Sequence, residues 1–135
     1  MLIFPLKKQW YEKIKSGEKT IEYREAKPYW TKRLYSETKK QIYAEYGSKG
    51  LIVIPEYRTF VKMLEEEKCL FGDGTEPKPV SWICKLTLGY TGKYMLAVIT
   101  KIELVNGKDT DLAIDTPVYA IHLSDVREIE HEESV

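Results

Sequence analysis

Three side chains of mixed charge, Lys19, Glu22 and Arg24, lie close together in the segment Gly-Glu-Lys-Thr-Ile-Glu-Tyr-Arg over residues 17–24. Arginine binds phosphate or a carbonyl edge through its planar guanidinium, and lysine supplies a point charge or, when desolvated, a reactive amine. A neighbouring glutamate either holds the arginine in place or acts as a general base. These residue types indicate an anion-binding site, an acid–base site, or an exposed strand face whose salt bridge stabilises little.

A strand must position two of these side chains. Residues 20–24 alternate between polar and apolar types, which places Glu22 and Arg24 together on the polar face of a half-buried strand. Lys19 has the opposite parity to Glu22, so it joins them only from the turn before the strand, where Gly17 permits unusual backbone angles. The alternation alone leaves the position of Lys19 open.

Aromatic residues flank this segment and are further candidates for ligand contacts. Trp10 lies on a helix predicted over residues 7–16, and Trp30 lies near the start of a second helix. Stacking of a base on an aromatic ring is worth roughly 1–3 kcal/mol, although core packing is the commoner role of such a tryptophan. We expect Trp30 in the core and leave Trp10 open between the two roles. Tyr90, at a predicted hairpin end, is either a ligand contact or a surface tyrosine without a function.

The remaining pattern predicts helices that alternate with strands early in the chain and a β-meander late. Helices are predicted at residues 7–16, from 28 into the low forties with a possible break near Ser36, and at 57–68. Strands are predicted at residues 2–6, 20–24, 51–54, 80–88, 94–104 and 118–123. The sequence therefore predicts a small α+β fold of about five or six strands with flanking helices.

The spacing Gly17-x-Lys19-x-x-Glu22-x-Arg24 resembles the signature of the ASCH domain, a PUA-like small β-barrel family. The flanking residues agree with it: Trp10 and Ile14 before, and Pro28-Tyr29-Trp30 after. Leu88-Gly89-Tyr90 and residues 119–123 also resemble elements of the family. The resemblance covers most of the chain and implies a single PUA-like domain over residues 1–135, with a weakly matched helical insertion around residues 36–80.

The resemblance implies a cleft beside the barrel for RNA or a nucleotide-like small molecule. The residues that would bind the ligand are Lys19, Glu22, Arg24, Trp10 and Tyr90. A protein-interaction domain without a small ligand is an alternative, but it leaves the charged motif unexplained.

Some ASCH members are similar to amidohydrolases that remove the acetyl group of N4-acetylcytidine with a lysine, a threonine and a glutamate, and others are linked to RNA cleavage. Lys19 stands at the position of that lysine, whereas Glu22 replaces the threonine. The loop at residues 106–117 offers the acids Asp109, Asp111 and Asp115. The enzyme alternative is therefore a hydrolase of a modified nucleoside or of RNA, with Lys19 and Glu22 as its catalytic pair.

Net charge distinguishes the two halves of the chain. The total is zero, which argues against holding a long nucleic acid by bulk electrostatics. Residues 1–50 nevertheless carry 12 Lys/Arg against 6 Asp/Glu, and residues 51–135 carry 9 against 15. The cations of the second helix, Lys32, Arg33, Lys39 and Lys40, are either an ordinary solvated face or a phosphate track.

Metal and cofactor sites are not expected. The two histidines and the two cysteines, Cys69 and Cys84, are far apart and lack the paired spacing of zinc sites. Free thiols are typical of a reducing compartment. The apolar run at residues 1–6 is too short for a signal peptide or a membrane span. The sequence thus predicts a cytoplasmic protein with no membrane, metal or cofactor partner.

Overall fold

The computed structural model describes residues 1–46, 55–71 and 82–130. In chain order the elements are β1 (Ile3–Leu6), α1 (Lys8–Ser16), β2 (Ile21–Glu25), α2 (Pro28–Tyr46), α3 (Tyr57–Glu67), β3 (Cys69–Phe71), β4 (Ile83–Leu88), β5 (Tyr94–Asn106), a short 3₁₀ helix (Gly107–Asp109) and β6 (Pro117–Ile129). The mixture of helices and strands confirms the α+β class.

The six described strands form one sheet in the order β1-β4-β5-β6-β2, and the short β3 pairs with β5 outside this path. β1 runs parallel to β4, and the other pairs are antiparallel. The sheet curls into a half-barrel. This arrangement confirms the prediction of a small barrel-like fold with flanking helices, and it leaves β1 and β2 as the edges of the five-strand path.

The inside of the curled sheet holds the hydrophobic core. In β1 the buried Phe4 and Leu6 alternate with the exposed Ile3 and Pro5, as the pleat of a strand requires. The helices add Tyr11 and Ile14 from α1, Leu34 from α2, and Phe60 and Leu64 from α3. The helices therefore pack against the core by their apolar faces. In the chain, α1 directly precedes β2 and α2 directly follows it.

The structure differs from the predicted elements at the end of α2, at the end of β6, and at β3, which was not predicted. α2 runs through Ser36 without a break to Tyr46. β6 continues past Leu123 to Ile129, although polar residues hide this part of the strand in the sequence. β3 has three residues, too few for an alternation to be read. The strand predicted at residues 51–54 lies outside the described residues.

Among the described residues, no helix is both long enough and apolar enough to cross a membrane.

Candidate ligand-binding site

The candidate site lies at the seam between the two edge strands, β1 and β2. Pro5 of β1 has no N–H, so only its carbonyl is available to a neighbour. The guanidinium of Arg24 in β2 donates to this carbonyl, with 2.7 Å between Arg24 Nη2 and Pro5 O. A side chain thus makes the connection here that backbone hydrogen bonds make between the paired strands.

A cavity of about 470 Å³ opens at this seam, and we call it the seam cavity. Its lining comes from β1, β2, the starts of α1 and α2, and the loop before β6. Four aromatic residues form part of its lining, namely Trp10, Tyr23, Tyr29 and Trp30. Three charged lining residues come from β2, namely Glu22, Arg24 and Glu25. The motif over residues 17–24 and its flanking aromatic residues therefore meet in one place.

The polar face of β2 points inward, which is the reverse of an exposed strand face. Glu22 and Arg24 pair across the sheet with Ile121 and Tyr119 of β6, and both of these residues are buried. Glu22 is only 6% exposed. Its Oε2 accepts a hydrogen bond from Arg24 Nη2 at 2.8 Å, and its Oε1 accepts one from the backbone N–H of Tyr23 at 3.2 Å. The burial of this carboxylate is thus matched by a cation and a backbone donor.

Lys19 lies in the turn before β2. α1 ends at Gly17 in the left-handed conformation, with φ of 85°, and the Gly17 N–H donates to Ile14 O. The Lys19 N–H donates to Lys13 O at 3.0 Å, which folds the turn back onto the helix. The Lys19 side chain therefore approaches the Glu22 carboxylate, as Arg24 does. It reaches this carboxylate from the turn, although alternation along the strand would place Lys19 and Glu22 on opposite faces.

Four groups surround the ammonium of Lys19. It donates to Asp111 Oδ2 in the loop before β6, and it lies 3.7 Å from Glu22 Oε1. The rings of Trp10 and Tyr23 are 5.3 and 4.9 Å away, measured to their centroids. Two carboxylates and two aromatic faces all suit a positive charge. This arrangement makes Lys19 the link between the buried Glu22 and the more exposed Asp111.

The charges form a chain of alternating sign, Arg24–Glu22–Lys19–Asp111, with no net charge. Lys19 does not line the seam cavity itself. It lines a smaller cavity of about 260 Å³, which shares Trp10, Tyr23 and Asp111 with the seam cavity. Lys19 thus contacts all three residues that the two cavities share.

Arg24 retains donors for a ligand. Both of its protein hydrogen bonds use Nη2, and its other N–H groups make no further hydrogen bond among the described residues. The guanidinium carbon lies 5.1 Å from the Trp30 ring centroid, and Trp30 in turn stacks on Phe4 at 5.1 Å with an interplanar angle of 24°. Packing against Trp30 and a bond to Pro5 hold this guanidinium in one orientation.

Sequence reasoning did not single out Asp111 from its two neighbours in the loop. Asp115 instead accepts from the Asn106 side chain at 3.0 Å, and Asp109 is exposed. The contact between Lys19 and Asp111 spans 92 residues of sequence, so no local pattern marks it. Trp30, expected in the core, is half-buried and serves both purposes, because it stacks on Phe4 and lines the cavity.

Tyr90 is fully exposed in the turn between β4 and β5 and is not part of the seam cavity lining. The turn nevertheless approaches the cavity, because the Gly89 N–H donates to the carbonyl of Leu6, a lining residue. Of the five residues expected to bind a ligand, the structure brings together Trp10, Lys19, Glu22 and Arg24. Tyr90 is separate from them.

The titration of two nearby groups limits their chemistry. Burial raises the pKa of the Tyr23 phenol, and the Asp111 carboxylate raises it further. Burial also raises the pKa of the Cys84 thiol to about 12, so this group is a thiol at neutral pH. Across residues 1–46, 55–71 and 82–130, no three His, Cys, Asp or Glu side chains converge as a metal site would need.

No family model, curated protein or solved structure matches this chain.

Proposed function

We propose that the chain is a PUA-like ASCH domain that binds RNA or a nucleotide-like small molecule in the seam cavity. The observation that carries this proposal is the position of the Arg24 guanidinium, which has unused donors beside a cavity walled by Trp10, Tyr29 and Trp30. Aromatic faces stack on bases of any sequence, and an arginine fork recognises a carbonyl edge or a phosphate.

The charge balance of the cavity agrees with a base as the group that enters it. Among the lining residues, three cations are matched by three carboxylates: Lys7, Arg24 and Lys27 against Glu22, Glu25 and Asp111. A cavity without net charge favours a neutral planar group over a bare polyanion. Hydrogen bonds from Arg24 and to Glu22 would then select the edge of that group.

The test is a titration that follows tryptophan fluorescence, because Trp10 and Trp30 both line the cavity. The ligands are the four ribonucleosides and a mixed-sequence single-stranded RNA of about nine nucleotides, a length within the range of known single-strand sites. Tyr29→Ala removes one cavity wall at a residue that is 58% exposed. Tyr43→Ala is the matched control, since Tyr43 lies on the same helix, is 63% exposed and lines no described cavity.

We expect Tyr29→Ala to weaken binding about 5- to 150-fold, the equivalent of losing one stacking contact of roughly 1–3 kcal/mol. Tyr43→Ala should bind as the wild type does. Equal affinities for these two variants, or no binding of any of the ligands by the wild type, would contradict the proposal.

Hydrolysis of a modified nucleoside is the second candidate, and the position of Asp111 favours it. Lys19 is flanked by two carboxylates, Glu22 and Asp111, and two of these three residues line the seam cavity. A carboxylate that deprotonates water and an ammonium that protonates the leaving amine are the two roles that amide hydrolysis needs. Glu22 and Lys19 would fill these roles as the catalytic pair.

This candidate is tested by incubating the protein with N4-acetylcytidine and separating the products by chromatography. A hydrolase should release cytidine, and Glu22→Gln should abolish the release because the amide cannot accept a proton from water. Unchanged N4-acetylcytidine after prolonged incubation with the wild type would leave ligand binding as the function of this site.

A further inference from the structure

A second cavity, of about 540 Å³, lies beside the seam cavity on the surface of α2, and we call it the helix cavity. One face of α2 lines it with Tyr29, Lys32, Arg33, Ser36, Glu37 and Lys40. These residues follow the three- and four-residue steps that place side chains on one side of a helix. Pro5 and Tyr29 line both cavities, so the two are continuous along the protein surface.

The two cavities differ in charge. The seam cavity has as many cations as carboxylates in its lining, whereas the helix cavity has Lys32, Arg33 and Lys40 against Glu37. Glu37 is buried, and its carboxylate lies 3.0 Å from the amino group of Met1. The exposed charged side chains of the helix cavity are therefore all cations, Lys32, Arg33 and Lys40, and the exposed Ser36 lies on the same helix face.

The boundary between the cavities is a stack of a guanidinium on an aromatic ring. Arg33 lies over Tyr29, with 3.5 Å between its guanidinium carbon and the ring centroid, and Arg33 Nη1 donates to Tyr29 O at 3.1 Å. Tyr29 in turn contacts Trp30 edge-on at 5.2 Å. An aromatic surface thus passes directly into a basic one at this point.

We propose that the helix cavity binds the backbone phosphates of a single-stranded RNA whose base occupies the seam cavity. This inference rests on the proposed binding function of the seam cavity. Proteins that bind single strands combine aromatic platforms for bases with a basic groove that follows the phosphates, and here the two features adjoin. The natural ligand is then an oligonucleotide, and a free nucleoside fills only part of the site.

The sequence offers four cations on this helix, and the structure separates them. Lys32, Arg33 and Lys40 line the helix cavity, whereas Lys39 lies over the Tyr35 ring at 5.4 Å and lines neither cavity. Lys39 therefore provides a control on the same helix. Lys62, exposed on α3, provides a second lysine away from both cavities.

The experiment compares Lys32→Gln/Lys40→Gln with the control Lys39→Gln/Lys62→Gln, which loses the same charge. Any affinity tag is placed at the C-terminus, so that the Met1 amino group stays beside Glu37. Each variant is titrated with the single-stranded RNA and with the four ribonucleosides over a range of salt concentrations. Arg33 is retained in both variants because it supports Tyr29.

We expect Lys32→Gln/Lys40→Gln to bind the RNA about 25-fold more weakly at 0.1 M salt. Each lost phosphate contact reduces the slope of log affinity against log salt concentration by about 0.7 for a single strand, so two contacts reduce it by about 1.4. Between about 1 M and 0.1 M salt this change of slope amounts to about 25-fold. Its affinity for the uncharged nucleosides should equal that of the wild type. The control should bind both ligands as the wild type does.

Two results would overturn the inference while the binding function of the seam cavity stands. The first is equal RNA affinity for the two double variants, and the second is an equal loss of RNA and nucleoside affinity in Lys32→Gln/Lys40→Gln. If the wild type binds neither the nucleosides nor the RNA, the proposed function fails and this inference fails with it.

Discussion

The Nη2 atom of Arg24 donates to both Pro5 O and Glu22 Oε2, at 2.7 and 2.8 Å. One nitrogen therefore ties the edge strand β1 to the edge strand β2 and also neutralises a buried carboxylate. Arg24 also lines the seam cavity. Because the same side chain connects the two edge strands and lines the candidate site, its removal should affect stability as well as binding.

Arg24→Ala should lower the free energy of unfolding by on the order of 3 kcal/mol, since it leaves the Glu22 carboxylate buried with a weaker set of partners. The Glu22 side chain is 8% exposed, and Lys19 at 3.7 Å remains as its nearest cation. Denaturation with urea, followed by circular dichroism, measures the change.

The control for Arg24→Ala is Arg58→Ala, an exposed arginine on α3 whose loss should change stability by less than about 0.5 kcal/mol. The double variant Glu22→Gln/Arg24→Gln should be more stable than the sum of the two single changes predicts, because it removes both members of the buried pair and leaves neither without the other. If Arg24→Ala lost no more stability than Arg58→Ala, the buried Glu22 carboxylate would not depend on Arg24 for its stabilisation.

Gly107→Ala should destabilise the protein through the loop that carries Asp111. A Cβ atom at residue 107 would lie 2.7 Å from Ile114 O and 2.7 Å from Val118 Cγ1. Neither a backbone carbonyl nor a core valine can move without shifting its neighbours, so we expect a loss of about 1–3 kcal/mol. Thermal denaturation of Gly107→Ala and of the exposed neighbour Lys108→Ala gives the comparison, and equal midpoints would contradict the prediction.

Protonation of the Glu128 carboxylate in acid should lower the stability of the protein. Hydrogen bonds from Tyr11 and Lys15 lower its pKa below the ordinary 4.5. A pKa that is lower in the folded state stabilises the protein above the unfolded pKa, and this contribution is lost as the pH falls through the folded pKa. Glu103, whose pKa is lowered by Lys101 and His122, acts in the same direction.

The measurement is the free energy of unfolding between neutral pH and about pH 3, below the reference pKa of a glutamate. The wild type should lose stability below pH 4.5, and Glu128→Gln should show a shallower loss. Glu130→Gln changes an exposed acid nearby and should follow the wild type. Identical pH curves for Glu128→Gln and the wild type would mean that the contacts of Glu128 with Tyr11 and Lys15 contribute nothing.

Local patterns in the sequence predicted the elements that carry the candidate site. The alternation in residues 20–24 gave β2, and the apolar spacing before Gly17 gave α1 with its left-handed cap. These features depend on neighbours within a few residues, where backbone geometry and side-chain periodicity determine the outcome. The alternation left the position of Lys19 open, and the structure places this residue in the turn.

The inward orientation of Glu22 and the role of Asp111 could not be predicted in the same way. A polar strand face usually lies in water, whereas here Glu22 is buried and Arg24 donates to Pro5 O of the other edge strand. The contact between Asp111 and Lys19 depends on how the loop before β6 lies against α1. The orientation of Glu22 and the contact of Asp111 both depend on packing between distant parts of the chain, which local periodicity does not predict.

Asp111→Asn should strengthen RNA binding if the site is a binding module. The carboxylate of Asp111 neutralises Lys19 at the wall of the seam cavity and repels phosphates that approach it. Without it, Lys19 can pair with one phosphate, which should steepen the salt slope by about 0.7 and tighten binding about 5-fold at 0.1 M salt. Asp109→Asn, an exposed change in the same loop, removes the same charge away from the cavity and should bind as the wild type does. If Asp111→Asn instead leaves RNA affinity unchanged and abolishes release of cytidine from N4-acetylcytidine, Asp111 serves catalysis, and the hydrolase becomes the better description of the site.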